Sequence, residues 1–151
     1  MSSKIKKDPT ITKQHRMVID IIHTAAWLEI RISKILKQFD ITHPQFNIMR
    51  NVQAASPLPL SVQEIKETIM FKNSDVTRLI DRLVNKDLLI RETCPKNRRK
   101  VDVRISPKGI AMLAEITPKV KAFFSDIIED QISVEEALRT SDILRLVRKQ
   151  S

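Results

Sequence analysis

Residues Ser61–Gly109 read SVQEIKETIMFKNSDVTRLIDRLVNKDLLIRETCPKNRRKVDVRISPKG. Ser61 and Glu64 form a capping box, in which the hydroxyl and the carboxylate each satisfy a backbone N–H at a helix start. A helix therefore begins at about Val62, with Val62, Ile65 and Ile69 at helical spacing until the polar cluster Lys72-Asn73-Ser74 breaks the pattern. A second helix follows after a turn of a few residues, with Asn73 or Ser74 as its expected N-cap. It buries Val76, Leu79, Ile80, Leu83 and Val84 and leaves Asp75, Thr77, Arg78, Asp81, Arg82 and Lys86 on a polar, largely basic face. After Asp87 the apolar spacing changes from helical to alternate. Leu88, Ile90, Val101, Val103 and Ile105 are expected on one face of a hairpin, with Arg91, Lys100, Asp102 and Arg104 on the other.

The hairpin tip is strongly basic. Residues 91–104 carry six Lys or Arg against two acids, and a tip this cationic suits an anionic partner. A charged turn that only keeps an edge hairpin soluble is the alternative. A helix-turn-helix directly before the hairpin favours DNA, because the combination reads as a winged helix. The expected DNA contacts are Ser74, Asp75, Thr77, Arg78, Arg82 and Lys86 from the second helix, with Lys96, Arg98, Arg99 and Lys100 from the wing.

The run Thr77-Arg78-Leu79-Ile80-Asp81-Arg82-Leu83, then Lys86-Asp87-Leu88-Leu89-Ile90-Arg91, then Asn97-Arg98-Arg99 with Val103, Ile105, Ser106 and Gly109, resembles the MarR family of bacterial transcriptional regulators. The resemblance covers this core and, in helix order, nearly the whole chain. It departs where Asn97 replaces the usual Asp, Asp87 the usual Gly and Ser106 a common Thr. Asp tolerates the left-handed conformation after a helix better than most residues, and Ser caps as well as Thr. The resemblance implies a dimer made by the terminal helices. It also implies a small, commonly aromatic or phenolic effector held between those helices and the winged lobe.

The flanking segments are helical. A stripe of Ile11, Val18, Ile22, Ala25, Ile32, Leu36 and Phe39, broadened by Ile19, Ala26, Ile30 and Ile35, marks one helix over 10–39. That is more apolar surface than a small lobe needs on one helix. Thr42-His43-Pro44-Gln45 caps a second helix carrying Phe46, Met49 and Val52, and 56–60 links it to the winged core. Ser106-Pro107 opens a helix through Ile110, Leu113, Ile116, Val120, Phe123, Phe124 and Ile127, with a kink expected at Pro118. Ser133-Val134-Glu135-Glu136 caps a last one, bearing Ala137, Leu138, Leu144 and Val147. The fold class is therefore mainly α with a small β-hairpin wing, in one domain. Residues 10–55 and 106–150 form the helical dimerisation region and 58–105 the DNA-binding lobe. The apolar stripes either wrap only the monomer's own core or pair across two subunits, which gives a homodimer. Two recognition helices about one DNA turn apart then call for an inverted-repeat operator on double-stranded DNA.

Composition agrees. The 151 residues with 42% hydrophobic content suit one compact domain, and the formal charge of +9 favours a polyanion partner, with a ribosomal or membrane-surface protein as the alternative. Residues 61–109 hold twelve basic and seven acidic groups, whereas 110–151 hold six and seven. No stretch of 18 apolar residues occurs, and Met1–Lys7 lacks the apolar core of a signal peptide, so the expected location is the cytoplasm, with no membrane partner. One glycine, Gly109, excludes phosphate-cradling glycine loops, and His15, His23 and His43 have no metal-ligand spacing. No catalytic residue, metal or cofactor is expected. The single Cys94 excludes an internal disulfide; at the root of the wing it is a candidate redox switch, with an exposed cysteine of no consequence the plainer reading. His23, Trp27 and Arg31, spaced i, i+4 and i+8, form the candidate effector site, against Trp27 as plain core. The expected function is sequence-specific transcriptional control, as a repressor relieved by a ligand. The rival is a nucleoid-type or protein-docking winged helix with little sequence preference.

Overall fold

The computed structural model describes residues 10–149. The expectation for Met1–Lys7 lies outside them. Chain order is α1 (Lys13–Lys37), α2 (His43–Ala55), β1 (Leu60–Ser61), α3 (Val62–Thr68), α4 (Val76–Asn85), β2 (Leu89–Thr93), β3 (Val101–Ile105), α5 (Pro107–Ile128) and α6 (Val134–Arg148).

Each helix starts where its capping chemistry lies. Reciprocal capping boxes form at Thr42/Gln45, Ser61/Glu64 and Ser133/Glu136, and Ser106 caps α5 with Pro107 in the first turn. Pro118 lies inside a continuous α5. The N-cap of α4 is Asp75, not Asn73 or Ser74: its Oδ1 accepts from the Arg78 N–H at 3.1 Å. Asp75 directly precedes the first buried apolar residue, Val76, which is where a cap belongs.

Two aspartates close helices in the left-handed region, Asp40 after α1 (φ 54°) and Asp87 after α4 (φ 59°). In both, the next residue donates its N–H back five positions, Ile41 to Leu36 and Leu88 to Leu83, and its side chain is buried. This closure shifts the expected hairpin phase by one residue. Leu88 is buried by the helix end rather than by the strand, so alternation begins at Leu89, paired with Ile105, while Ile90 is 39% exposed. Arg91 lies opposite Val103 and shares its face, contrary to the sequence expectation. The sheet is antiparallel in the order β1-β3-β2, with Leu60 opposite Val103. Strand β1 falls where the sequence suggests only a linker, because two residues are too few to leave a periodic signal.

The core joins Leu36 of α1, Ile48, Met49 and Val52 of α2, Ile65, Ile80 and Leu83 of the helix-turn-helix, and Leu113 and Ile116 of α5. Gly109 sits where β3 turns into α5; a Cβ there would meet the Leu88 carbonyl oxygen and, at 2.7 Å, the Ile105 side chain. The apolar stripe of α1 is buried only at its C-terminal end. Ile32 and Leu36 are in the core, but Ile22 is 60% and Ile30 69% exposed, and α6 has no buried residue.

Candidate nucleic-acid interface

The short α3 and the turn after it position α4. Lys72 Nζ donates to the Glu67 carbonyl at 2.6 Å, closing the end of α3, and the Asn47 side chain of α2 accepts from the Met70 N–H at 2.9 Å. Asn51 also donates to Thr68, so α2 holds the start of the turn at two points. With Val76, Ile80 and Leu83 buried, helical geometry turns Thr77, Arg78 and Arg82 outward, and all three are exposed. Ser74 is half-buried, its N–H donating to the Phe71 carbonyl.

The face is not a field of free cations. Arg78 Nε lies 3.2 Å from Asp75 Oδ2, on top of the cap bond between the same residues. Asp81 pairs instead with Arg91 of β2 at 2.6 Å, tying the recognition helix to the wing. Lys86 is engaged elsewhere: its Nζ donates to the Asp40 carbonyl and lies 2.8 Å from Asp40 Oδ2, joining the ends of α4 and α1. Lys108 Nζ donates to the Lys86 carbonyl and closes the end of α4.

The wing tip is built by its own backbone. Cys94 N–H donates to the Lys100 carbonyl, Asn97 N–H to the Cys94 carbonyl and Lys100 N–H to the Asn97 carbonyl. Asn97 Oδ1 accepts from the Arg99 N–H at 3.1 Å, so Asn97 holds the turn through the backbone rather than through the arginine side chain. Lys96, Arg98, Arg99 and Lys100 are all exposed. Cys94 is half-buried at the wing root, not exposed. The wing reaches α3 as well: the Ser61 N–H and hydroxyl, helped by the charge of Lys100, hold the Glu64 carboxyl below its ordinary value.

The candidate effector residues do share a face of α1. The Arg31 guanidinium lies 5.4 Å from the Trp27 ring centroid, and Trp27 packs against Phe123 of α5 at 6.0 Å. Trp27 is not plain core: it is 42% exposed, because α5 covers one side of the ring. His23 is exposed on the same helix. A groove of about 610 Å³ lies between α1 and α6, lined by Met17, Ile21, Leu28 and Leu144.

Some pairings leave no trace in local patterning. His43 Nδ1 lies 2.5 Å from Glu29 Oε2 and its ring meets Phe71 edge-on at 4.9 Å, connecting α1, the start of α2 and the helix-turn-helix turn. No spacing rule links residues so far apart. The Asp81–Arg91 pair is equally non-local, whereas Asp75 is legible as the polar residue before Val76.

Residues 41–101 match the MarR family model. Over these residues the chain is similar to the MarR family of transcriptional regulators. Among curated relatives it is 28% identical over 116 residues to the HTH-type transcriptional regulator MhqR of Bacillus subtilis, covering 77% of this chain and 78% of that one. In fold it resembles Sco3205, a MarR family transcriptional regulator from Streptomyces coelicolor in complex with DNA, at TM-score 0.80 and 20% identity over 95% of this chain and 92% of that one. It also resembles NadR in complex with 4-hydroxyphenylacetate, at TM-score 0.71 and 25% identity over 95% and 100% of the two chains. This MarR-family fold is the winged helix expected from Ser61–Gly109. Among the described residues no helix is long and apolar enough to cross a membrane.

Proposed function

We propose that this protein is a MarR-family homodimeric repressor that reads an inverted-repeat operator and releases it when a small aromatic or phenolic ligand binds. The observation that carries the reading is the joint exposure of Thr77, Arg78 and Arg82 on α4 and of Lys96, Arg98, Arg99 and Lys100 on the adjoining wing. A helix of this polarity fits a major groove, and an exposed basic tip fits the neighbouring minor groove and phosphates. Ser74 and Asp75 sit at the helix start, where backbone and base contacts meet, and Lys86 positions α4 against α1.

The dimer rests on apolar surface that one chain leaves uncovered: Ile22 and Ile30 of α1, and Val134, Leu138 and Leu146 of α6, are each at least 60% exposed. A second copy covers them and sets the spacing of two recognition helices. The effector reading rests on Trp27, Arg31 and His23, which offer a ring to stack on and a cation for a carboxylate or phenolate, and on the phenolic acid bound by NadR. The activity is binding, not catalysis, and the partner is DNA in the cytoplasm. Titrating the protein's own promoter DNA against competitor DNA, with and without 4-hydroxyphenylacetate as the first probe, tests the reading. Specific binding at least about tenfold tighter than competitor supports it; equal affinity for both identifies a nucleoid-type protein instead.

A further inference from the structure

The recognition helix carries two exposed arginines one turn apart, and the structure treats them differently. Arg78 is held twice by Asp75: its backbone N–H donates to Oδ1 at 3.1 Å, and its Nε lies 3.2 Å from Oδ2. The Arg82 side chain has no hydrogen bond or ion pair among the described residues, and the neighbouring Asp81 carboxylate is occupied by Arg91 at 2.6 Å. It lines an open cleft with Lys37 and the Lys86–Asp40 pair.

The Asp75–Arg78 pair has side chains 58% and 79% exposed. A pair so open to water contributes little to stability, so its effect lies in what it does to the guanidinium. Contact through Nε engages one edge of the guanidinium and leaves the end-on edge between the two terminal amino groups for another partner. Those groups form the fork that matches O6 and N7 of guanine. Anchoring also removes rotamer freedom that an unpaired arginine surrenders on binding. A carboxylate at the N-cap further cancels the attraction of the helix end for phosphate, so this end of α4 is a poor backbone contact and a good base reader. Arg82, its side chain unanchored, suits phosphate.

Resting on the DNA-binding reading above, we infer that Asp75 is the positioning residue for specificity: it presents Arg78 to a guanine in each half-site and leaves Arg82 to the backbone. Asp75→Asn separates the two roles of Asp75, because an amide oxygen still caps the Arg78 N–H while the charge that holds Nε is gone. The full-length protein and its Asp75→Asn, Arg78→Lys, Arg78→Ala and Arg82→Ala variants are used to select sites from randomised duplex DNA. Each is then titrated on the wild-type consensus and on the same duplex with the half-site guanines changed to adenine, with circular dichroism confirming the fold.

Wild type is expected to discriminate the two duplexes by about tenfold or more. Asp75→Asn and Arg78→Lys lose most of that ratio, chiefly by weakening the guanine duplex. Adding Asp75→Asn to Arg78→Ala changes nothing further, and Arg82→Ala weakens both duplexes by the same factor. Retained discrimination in Asp75→Asn overturns the inference. So does a base preference that Asp75→Asn still alters in the Arg78→Ala background, which makes Asp75 itself the reader, or a guanine preference erased by Arg82→Ala instead. A wild type that selects no motif overturns the sequence-specific reading and this assignment together, whereas a motif independent of Arg78 overturns this assignment alone.

Discussion

Arg98 and Arg99 stand at the end of a turn whose geometry comes from backbone hydrogen bonds and the Asn97 side chain, and both guanidinium groups are exposed. Their removal therefore leaves the fold intact. Arg99→Ala is expected to weaken DNA binding and Arg98→Ala to do so less, with the salt dependence of log K falling by about one for each phosphate that is no longer neutralised. Titration at several salt concentrations measures this, and unchanged affinity and slope in both variants would remove the wing from the interface. Asn97 shows how far a residue can be understood before folding. Its departure from the family's Asp is visible in the sequence, but its use as an acceptor for the Arg99 N–H follows only from the folded turn.

Elements here are bounded by local chemistry and fail at identifiable bonds. The α6 capping box holds the Glu136 carboxyl below its ordinary value, first through the Ser133 hydroxyl and then through the Ser133 backbone N–H. A carboxyl lowered in the folded state contributes stability that is fully present above its ordinary value, near 4.5, and is lost as pH falls through the lower folded value. Since α6 buries nothing within one chain, its first turn is expected to fray earlier than α5 on acidification, and Glu136→Gln to flatten that dependence. Amide exchange by NMR between about pH 6 and 3 resolves the two helices; equal protection losses in α5 and α6 would count against it. Gly109 fails by crowding instead. Gly109→Ala places a methyl group against the Leu88 carbonyl and the Ile105 side chain, and forcing the β3–α5 corner open is expected to cost about 1–3 kcal/mol in urea unfolding. A variant as stable as wild type would show that the corner relaxes freely.

The whole molecule is incomplete as a single chain. An α1 of about 37 Å buries only its C-terminal end, and the groove between α1 and α6 exposes Met17, Ile21, Leu28 and Leu144 to whatever covers it. Leu144→Asp puts a carboxylate into that seam, where burial without a partner costs several kcal/mol. Subunits should separate, and affinity for a full operator should collapse because one winged lobe reads one half-site and loses the effective concentration of the second. Light scattering alongside operator titration checks both. A folded monomeric variant that binds the full operator as tightly as wild type would refute the dimer and the palindrome together.

Helix starts, the helix-turn-helix and the basic wing are legible in the sequence because caps, 3.6-residue spacing and charge act over a few residues. The Ser61, Ser106 and Ser133 caps and the left-handed Asp87 are local events, and they lie where the residues place them. The hairpin phase is not legible in the same way, because Leu88 satisfies two patterns at once and the helix closure through Leu83 outranks the strand. Only tertiary structure decided that Arg91 turns to Asp81, that Lys86 is drawn to Asp40, that His43 meets Glu29 and Phe71, and that Trp27 stays partly exposed beside Phe123. Each joins elements whose separation in the chain carries no periodic signal, and their geometry exists only once the core between α1, α2 and α4 has closed.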